Sequence, residues 1–352
     1  MISSGSTKRI YVGTYTIRGS EGIYSVLLDT DSGSLEMEGL RAEITNPTFL
    51  IRHPSLPVIY ACSTVVEGGA LYTYNFDAES GALSLIDKRS AHGSKPVYAS
   101  IGGAQHTLTL ANFGDGNVTA YPLQSSGTPG NPAQVFEFCG SSVHPIRQTS
   151  QHAHSIAWDR TGQFAVMADL GRDKVLVFRD ERAGQLEQVF EADTSAGFGP
   201  RHISFHPDNN HVAIVGEMGS GVIVYTLNKE NGALQELCKL STLPDDFTDK
   251  SACSEIAYSS SGKYLYAANR GHDSIVTCEV DTTTGVPAVS DFTKSGGRSP
   301  RHFAIDPSGK LMVVANENGD NLVSFFINPA TGQLTATGYS LNVPSPSCIL
   351  FP

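Results

Sequence analysis

Charge is scarce in this chain. Only 17% of its 352 residues are Asp, Glu, Lys or Arg, while 40% are hydrophobic. That balance excludes a disordered chain and leaves too few charges to coat several small domains. The basic side is the thinner one: 24 Lys and Arg against 35 Asp and Glu give a net charge of -11. Such a field repels nucleic acid and anionic membranes, so neither is expected as a partner, and any anionic ligand must be drawn in locally. The six cysteines, Cys62, Cys139, Cys238, Cys253, Cys278 and Cys348, include no Cys-x-x-Cys, which argues against a zinc or redox pair. No apolar run approaches the roughly 18 residues of a membrane span. The stretch from Met1 to Arg9 is polar and unlike a signal peptide, so a reduced, cytoplasmic protein is expected. Neither a Gly-rich phosphate loop before a helix nor a Gly-x-Ser-x-Gly elbow occurs, which disfavours nucleotide and serine-hydrolase chemistry. What is plentiful is glycine, 35 residues, with 18 prolines scattered along the chain. That suits many short strands joined by tight turns, and an all-β fold.

Length alone suggests about two domains at roughly 150 residues each, but a repeat replaces that count. An apolar strand followed by a turn closing on Gly recurs at Gly33, Gly81, Gly127, Gly184, Gly232, Gly285 and Gly332, near the 50-residue period of 352 divided by seven. Asp or Asn early in these turns bonds the local backbone, and the late Gly takes the positive φ that closes a hairpin. A second marker, an apolar strand opened by a short polar or Pro motif, starts at Pro47, Pro96, Ala153, Pro200, Cys253, Pro300 and Pro346. The chain begins with the second strand of a unit, KRIYVGT, and ends with a first strand, SPSCILFP. Seven units of about four antiparallel strands, the terminal one assembled from both chain ends, predict one seven-bladed β-propeller over 1–352, its ring closed by N-terminal strands plus the C-terminal strand. Apolar residues on both faces, as in LMVVAN, fit blades stacked face to face.

In a propeller the innermost strands line the central channel, so equivalent positions form rings. One residue past each opening position come Thr48, Val97, His154, Arg201, Ser254, Arg301 and Ser347. Aligning the second strands on Gly13, Cys62, Asn112, Asp169, Gly216, Asn269 and Asn316 puts Thr14, Ser63, Phe113, Leu170, Glu217, Arg270 and Glu317 at the same mouth. Three arginines, a histidine and two glutamates therefore converge. Buried arginine must be paired or await an anion, and its planar fork suits carboxylate or phosphate. The alternative is that Arg201–Glu217 and Arg270–Glu317 are ion pairs tying adjacent blades. His154 near carboxylate and arginine suits a general base at neutral pH. His152 stands beside it. His202 and His302 each follow a ring arginine and either cap backbone or touch ligand, whereas His53 and His206 precede prolines and read as turn residues. Trp158 reads as core. The recurring Asn112, Asp169, Asn269 and Asn316 suit either a Ca²⁺ site or, more simply, structural turns.

At these residues the sequence resembles the seven-bladed propeller lactonases typified by bacterial 6-phosphogluconolactonase, together with the related fungal 3-carboxy-cis,cis-muconate lactonizing enzyme. The resemblance runs from KRIYVGTY to SPSCILFP and is sharpest in HSIAWD, GPRHISFHP, GKYLYAANR and SPRHFAIDPSGK. It implies an active site at one mouth of the channel, with His154, Arg201, Glu217 and Arg270 matching the cycloisomerase's proposed set and Arg301 sharing the opening motif of Arg201. Glu317, His302 and His152 are further candidates. The resemblance implies hydrolysis of a small anionic sugar lactone such as 6-phosphoglucono-δ-lactone, without metal or other cofactor: Arg201, Arg270 and Arg301 hold the anion, and His154 with Glu217 does the acid/base work. Conventional blade spacing without large insertions favours the lactonase over a muconate cycloisomerase. The remaining alternatives are a metal-dependent lactonase and a non-enzymatic propeller scaffold. Oligomeric state is not legible.

Overall fold

The computed structural model describes residues 7–65, 68–102, 105–182 and 184–352, so the first six residues of the polar N-terminal stretch lie outside it. The described strands form seven four-stranded antiparallel sheets, and the architecture is the expected seven-bladed propeller. Blade one holds β1 (Thr7–Thr14), β2 (Gly22–Asp29) and β3 (Leu35–Glu43), with the chain's last strand, β28 (Pro346–Leu350), on its inner edge. In blades two to seven the innermost and second strands are β4 (Pro47–Arg52) and β5 (Val58–Ser63), β8 (Pro96–Gly102) and β9 (Thr107–Asn112), β12 (Ala153–Trp158) and β13 (Phe164–Asp169), β16 (Pro200–Phe205) and β17 (His211–Gly216), β20 (Ala252–Tyr258) and β21 (Tyr264–Arg270), and β24 (Pro300–Ile305) and β25 (Leu311–Asn316). Ring closure rests on β1 and β28, with Val12 opposite Ile349 and Gly13 opposite Cys348.

The turn chemistry is as the repeat requires. All seven hairpin glycines have positive φ, from 70° at Gly332 to 91° at Gly184. In five hairpins an Asp or Asn side chain, at Asp29, Asp77, Asn228, Asp281 and Asn328, accepts backbone N–H groups two and three residues on. The blades stick together through their faces: Val166 and Val177 of blade four pack with Ile214 and Ile223 of blade five, and Val12 and Ile349 of blade one with Val313 and Leu322 of blade seven. Tyrosine hydroxyls add ties from one blade to the next, Tyr11 donating to the Gly81 carbonyl at 3.1 Å and Tyr266 to that of Gly332 at 2.9 Å. Trp158 is core, with its indole N–H on Thr109 at 3.1 Å.

The recurring amides also prove structural. Asn112, Asn269 and Asn316 are fully buried and donate to the carbonyls of Ala91, Thr242 and Ser295, just ahead of their blade's innermost strand. Asp169 accepts from the backbone of His152, Gly171 and Arg172 and pairs with Arg172 at 2.5 Å. The three amide nitrogens and the Asp169 carboxylate are thus committed to backbone and neighbouring side chains, the structural turn role.

Ile349 is 3% exposed within the cluster that joins first and last blades. Ile349→Ala should lower unfolding free energy by about 2–5 kcal/mol, the usual cost of emptying such a site. A urea midpoint unchanged from wild type would show that the closure contributes little.

Candidate active site

The innermost strands share a defect at their mouth end. Register skips one residue between Pro47 and Phe49, Pro96 and Tyr98, Ala153 and Ser155, Pro200 and His202, Pro300 and His302, and Cys348 and Pro346. The unpaired residues are Thr48, Val97, His154, Arg201, Arg301 and Ser347. In β20 the irregular stretch spans Ser254 and Glu255. A bulge re-aims side chains that regular alternation would send to opposite faces. Both the bulged residue and the one after it therefore face the channel. Thr48, Val97, His154, Arg201, Arg301 and Ser347 gather with Phe49 and His202 around a constriction of about 10 Å³. The anticipated ring is present, and beneath it lies a second layer that sequence reasoning missed.

The other ring needs a correction. Pro47 pairs with Ser63 and Pro346 with Thr14, whereas Pro96 pairs with Asn112. The alignment of the first two second strands on Gly13 and Cys62 is thus off by one residue. Tyr15 and Thr64, not Thr14 and Ser63, reach the mouth, and Leu170 is buried away from it. The resulting cavity of about 360 Å³ is walled by Tyr15, Thr64, Lys95, Val97, Phe113, Arg147, His154, Glu217, Arg270 and Arg301. Another cleft of about 390 Å³, near Ser195, Phe198 and Lys239, has that lysine as its one titratable side chain.

Glu217 is the hub. Its Oε2 lies 3.0 Å from Arg201 Nε, 3.1 Å from Arg270 Nη2 and 3.9 Å from His154 Nε2, and its Oε1 contacts Arg147. Burial pushes the carboxyl up, but Arg270, Arg201 and Arg147 overcome it and hold the group down to about 2, ionised at neutral pH. Arg201 is 2% exposed; burial and then Arg270 pull it down to about 9, still charged, and it also donates to the Ser254 carbonyl. The pairing differs from the expected one: Arg270 turns to Glu217 and donates to the Cys253 carbonyl at 2.8 Å, while Glu317 takes Arg301 at 3.1 Å. Arg201 and Glu217 belong to the same blade, so their pair is not a tie between blades. Arg301 also donates to the Tyr15 hydroxyl at 2.5 Å.

His154 is buried against the Phe113 and His202 rings, and its Nδ1 has no hydrogen-bond partner. Burial, followed by Arg201, holds it well below the usual imidazole range, so it is a neutral base. His152 stacks on Phe113 at 4.4 Å and bonds the Phe113 carbonyl at 2.8 Å, outside the cavity wall. His302 and His202 lie in the second layer. Both approach Glu255 Oε2, at 3.2 and 3.1 Å, and His302 Nδ1 accepts the Ile349 N–H at 3.3 Å. Phe49 stacks on Tyr98 at 4.3 Å beside them.

Sequence reasoning missed Arg147, Lys95, Tyr15, Thr64 and Glu255. Arg147 comes from residues 137–152, the longest connection between blades and an insertion that the spacing was taken to exclude. The stretch from Gly127 to Gly184, 57 residues, was its signal. The segment folds over the mouth and sets the Arg147 guanidinium 5.7 Å from the centre of the Phe113 ring. Glu255 was discoverable by counting two positions past each strand opening instead of one.

The fold is a β-propeller whose channel gathers a neutral histidine, an ionised glutamate and clustered arginines at one end. The chain belongs to the lactonase family of seven-bladed β-propellers, whose family model matches residues 9–351. It is 34% identical over 341 residues to a 6-phosphogluconolactonase of Bacillus subtilis, covering 97% of each chain. Among solved structures it resembles the periplasmic gluconolactonase of Pseudomonas aeruginosa, 32% identical with a TM-score of 0.91 over 99% of this chain and 100% of that one. A putative 6-phosphogluconolactonase of Bacteroides fragilis, 27% identical, also superposes with a TM-score of 0.91 over 99% of both chains. Among the described residues no helix is long and apolar enough to cross a membrane.

Burial is the leading cause that lowers His154, His202 and His302, the last to about 4. In each case the unfolded chain takes up a proton that the native state refuses, so stability is intact above the unfolded value of about 6.5 and is lost as pH falls below it. Urea midpoints should drop from pH 7.5 to pH 5, and less steeply in His302→Gln. A flat profile across that range contradicts this account.

Proposed function

We propose that the mouth cavity hydrolyses a small sugar lactone carrying a phosphate, of the 6-phosphoglucono-δ-lactone type. The observation that carries the substrate class is the charge of the walls. Arg147, Arg201, Arg270, Arg301 and Lys95 face or underlie one cavity, with Glu217 and Glu317 against them and Glu255 in the layer below, an excess of two positive charges. A cavity of this sign draws a doubly charged phosphate out of the field of an acidic protein. The names of the relatives in Bacillus subtilis and Bacteroides fragilis support the same class.

In this reading Arg270 and Arg301, with Arg147 from the insertion, grip the anion, and Arg201 fixes Glu217. His154 takes a proton from water as the oxygen attacks the lactone carbonyl carbon. The guanidinium groups stabilise the developing oxyanion. The ring C–O bond then breaks, and the departing alkoxide takes the proton back from the imidazolium, giving the hydroxy acid. Glu217, already ionised, stabilises that imidazolium across 3.9 Å rather than supplying a proton of its own. Action in the cytoplasm is supported by six free thiols.

His154→Ala and Glu217→Gln should each lower kcat for the phosphorylated lactone by about 10²–10⁴. Wild-type rates in both variants would remove these residues from the chemistry. A panel of phosphorylated lactone, plain gluconolactone and carboxymuconate separates the substrates. The phosphorylated lactone should have the highest kcat/KM, and Arg147→Ala should raise its KM while leaving that of the plain lactone nearly unchanged. Equal losses on both lactones would assign Arg147 to the fold of the mouth rather than to the phosphate, and loss of muconate absorbance would favour cycloisomerisation.

A further inference from the structure

The opposite end of the channel carries a second cluster. β16 runs from the mouth at Pro200 to Phe205, and the turn that follows reads His206, Pro207, Asp208, Asn209, Asn210 before His211 opens β17. His206, Asp208 and His211 each point a ligand atom into a space where these atoms lie within 4.8 Å of one another. Asp208 bridges the two rings: Oδ1 is 2.9 Å from His206 Nδ1 and Oδ2 is 2.9 Å from His211 Nδ1.

The tautomer of His206 makes this contact informative. Its Nε2 lies 3.1 Å from the Gly262 carbonyl, which only accepts, so Nε2 bears the proton. Its Nδ1 accepts the Asp208 backbone N–H at 3.2 Å, so that nitrogen is unprotonated, and an ion bound there takes over the lone pair that this N–H now uses. A ring whose far N–H is anchored on a backbone carbonyl, with the near nitrogen turned to a carboxylate and a second imidazole, is the arrangement that supporting contacts give a metal-bound histidine. The Asp208 side chain is 32% exposed, against 14% and 15% for the histidines, which leaves a path for an ion.

We propose that His206, Asp208 and His211 bind one divalent transition-metal ion of the Zn²⁺ or Ni²⁺ class in the β16–β17 turn of blade five, remote from the mouth cavity. Two imidazoles and one carboxylate, with water completing the shell, suit these borderline ions better than Ca²⁺ or Mg²⁺, which want oxygen. All three ligands belong to blade five, and an ion that fixes the two rings also fixes the contacts they make with blade six: His206 on the Gly262 carbonyl, and His211 on Gly285, where a Cβ would come within 2.4 Å of the ring. Of the turns that follow the innermost strands, this alone pairs two histidines with an aspartate; the corresponding turns read HPSLP in blade two and DPSGK in blade seven.

Tag-free protein titrated calorimetrically with ZnCl₂, and separately with NiCl₂, at pH 7.5 should show one saturable site. His211→Ala and Asp208→Asn should each weaken it by at least about 10-fold, with lactone hydrolysis unchanged as proof of folding. The metal should raise the Tm of the wild type but not of His206→Ala/His211→Ala. No saturable site, or the same affinity and Tm shift in the double variant, overturns the proposal.

Discussion

The pairing of β28 with β1 is the constraint on which the rest of this molecule depends. A sheet edge is a row of unsatisfied N–H and C=O groups, and a toroid of seven blades avoids exposing one at the seam only if the two ends of the chain meet in the same sheet. Because Ile349 lies opposite Val12, blade one is complete and its faces are free to pack on blades two and seven. Closure also fixes the radius of the channel. With seven inner strands held around one axis, side chains at equivalent positions have nowhere to go but towards each other, and the chemistry of the mouth follows from which residues occupy those positions.

The bulge at the head of each inner strand turns that geometry to use. Without it His154 and Ser155, or Arg201 and His202, would point to opposite faces of a blade. With it, two successive layers reach the axis. The upper layer is charged and the lower one, with Phe49, Tyr98, His202, Glu255 and His302, is a floor of rings about a single buried carboxylate. Such a floor blocks the channel below the mouth and lowers the dielectric around it. That strengthens each charge interaction above, and it explains why His154 stays neutral while Glu217, 3.9 Å away, stays ionised. Arginine neighbours favour the charged carboxylate and disfavour the charged imidazole, so one cluster pushes the two groups in opposite senses.

Most of the fold was legible because turn chemistry is local. Gly33, Gly81 and their equivalents, with Asp29 or Asn228 ahead of them, announce a hairpin wherever they occur, and counting them yields the blade number. The split blade followed from the order of the markers alone. The upper ring was legible for the same reason, as one residue past each strand opening. What failed was register. A single residue of slip in blades one and two exchanged Tyr15 for Thr14 and Thr64 for Ser63, because Gly13 and Cys62 look like plausible equivalents of Asn112 until the pairing of Pro47 with Ser63 is seen. Nothing in the repeat warns of a bulge, since both residues that it affects keep their places in the alignment.

Arg147 illustrates the limit more sharply. It belongs to no repeat, and its role at the mouth depends on how residues 137–152 fold back across Phe113. Yet the insertion sits between blades three and four, immediately before the strand that carries His154. Segments that connect blades emerge at the mouth, where the innermost strands begin, so chain inserted there costs the ring nothing and has only the mouth to cover. In the proposed reading the acid/base pair stays on the rigid inner strands and recognition of the substrate's remote end falls to the connections. On that reading the cationic Arg147 on such a connection, next to arginines that the ring itself supplies, is where phosphorylated and unphosphorylated lactones are most readily told apart.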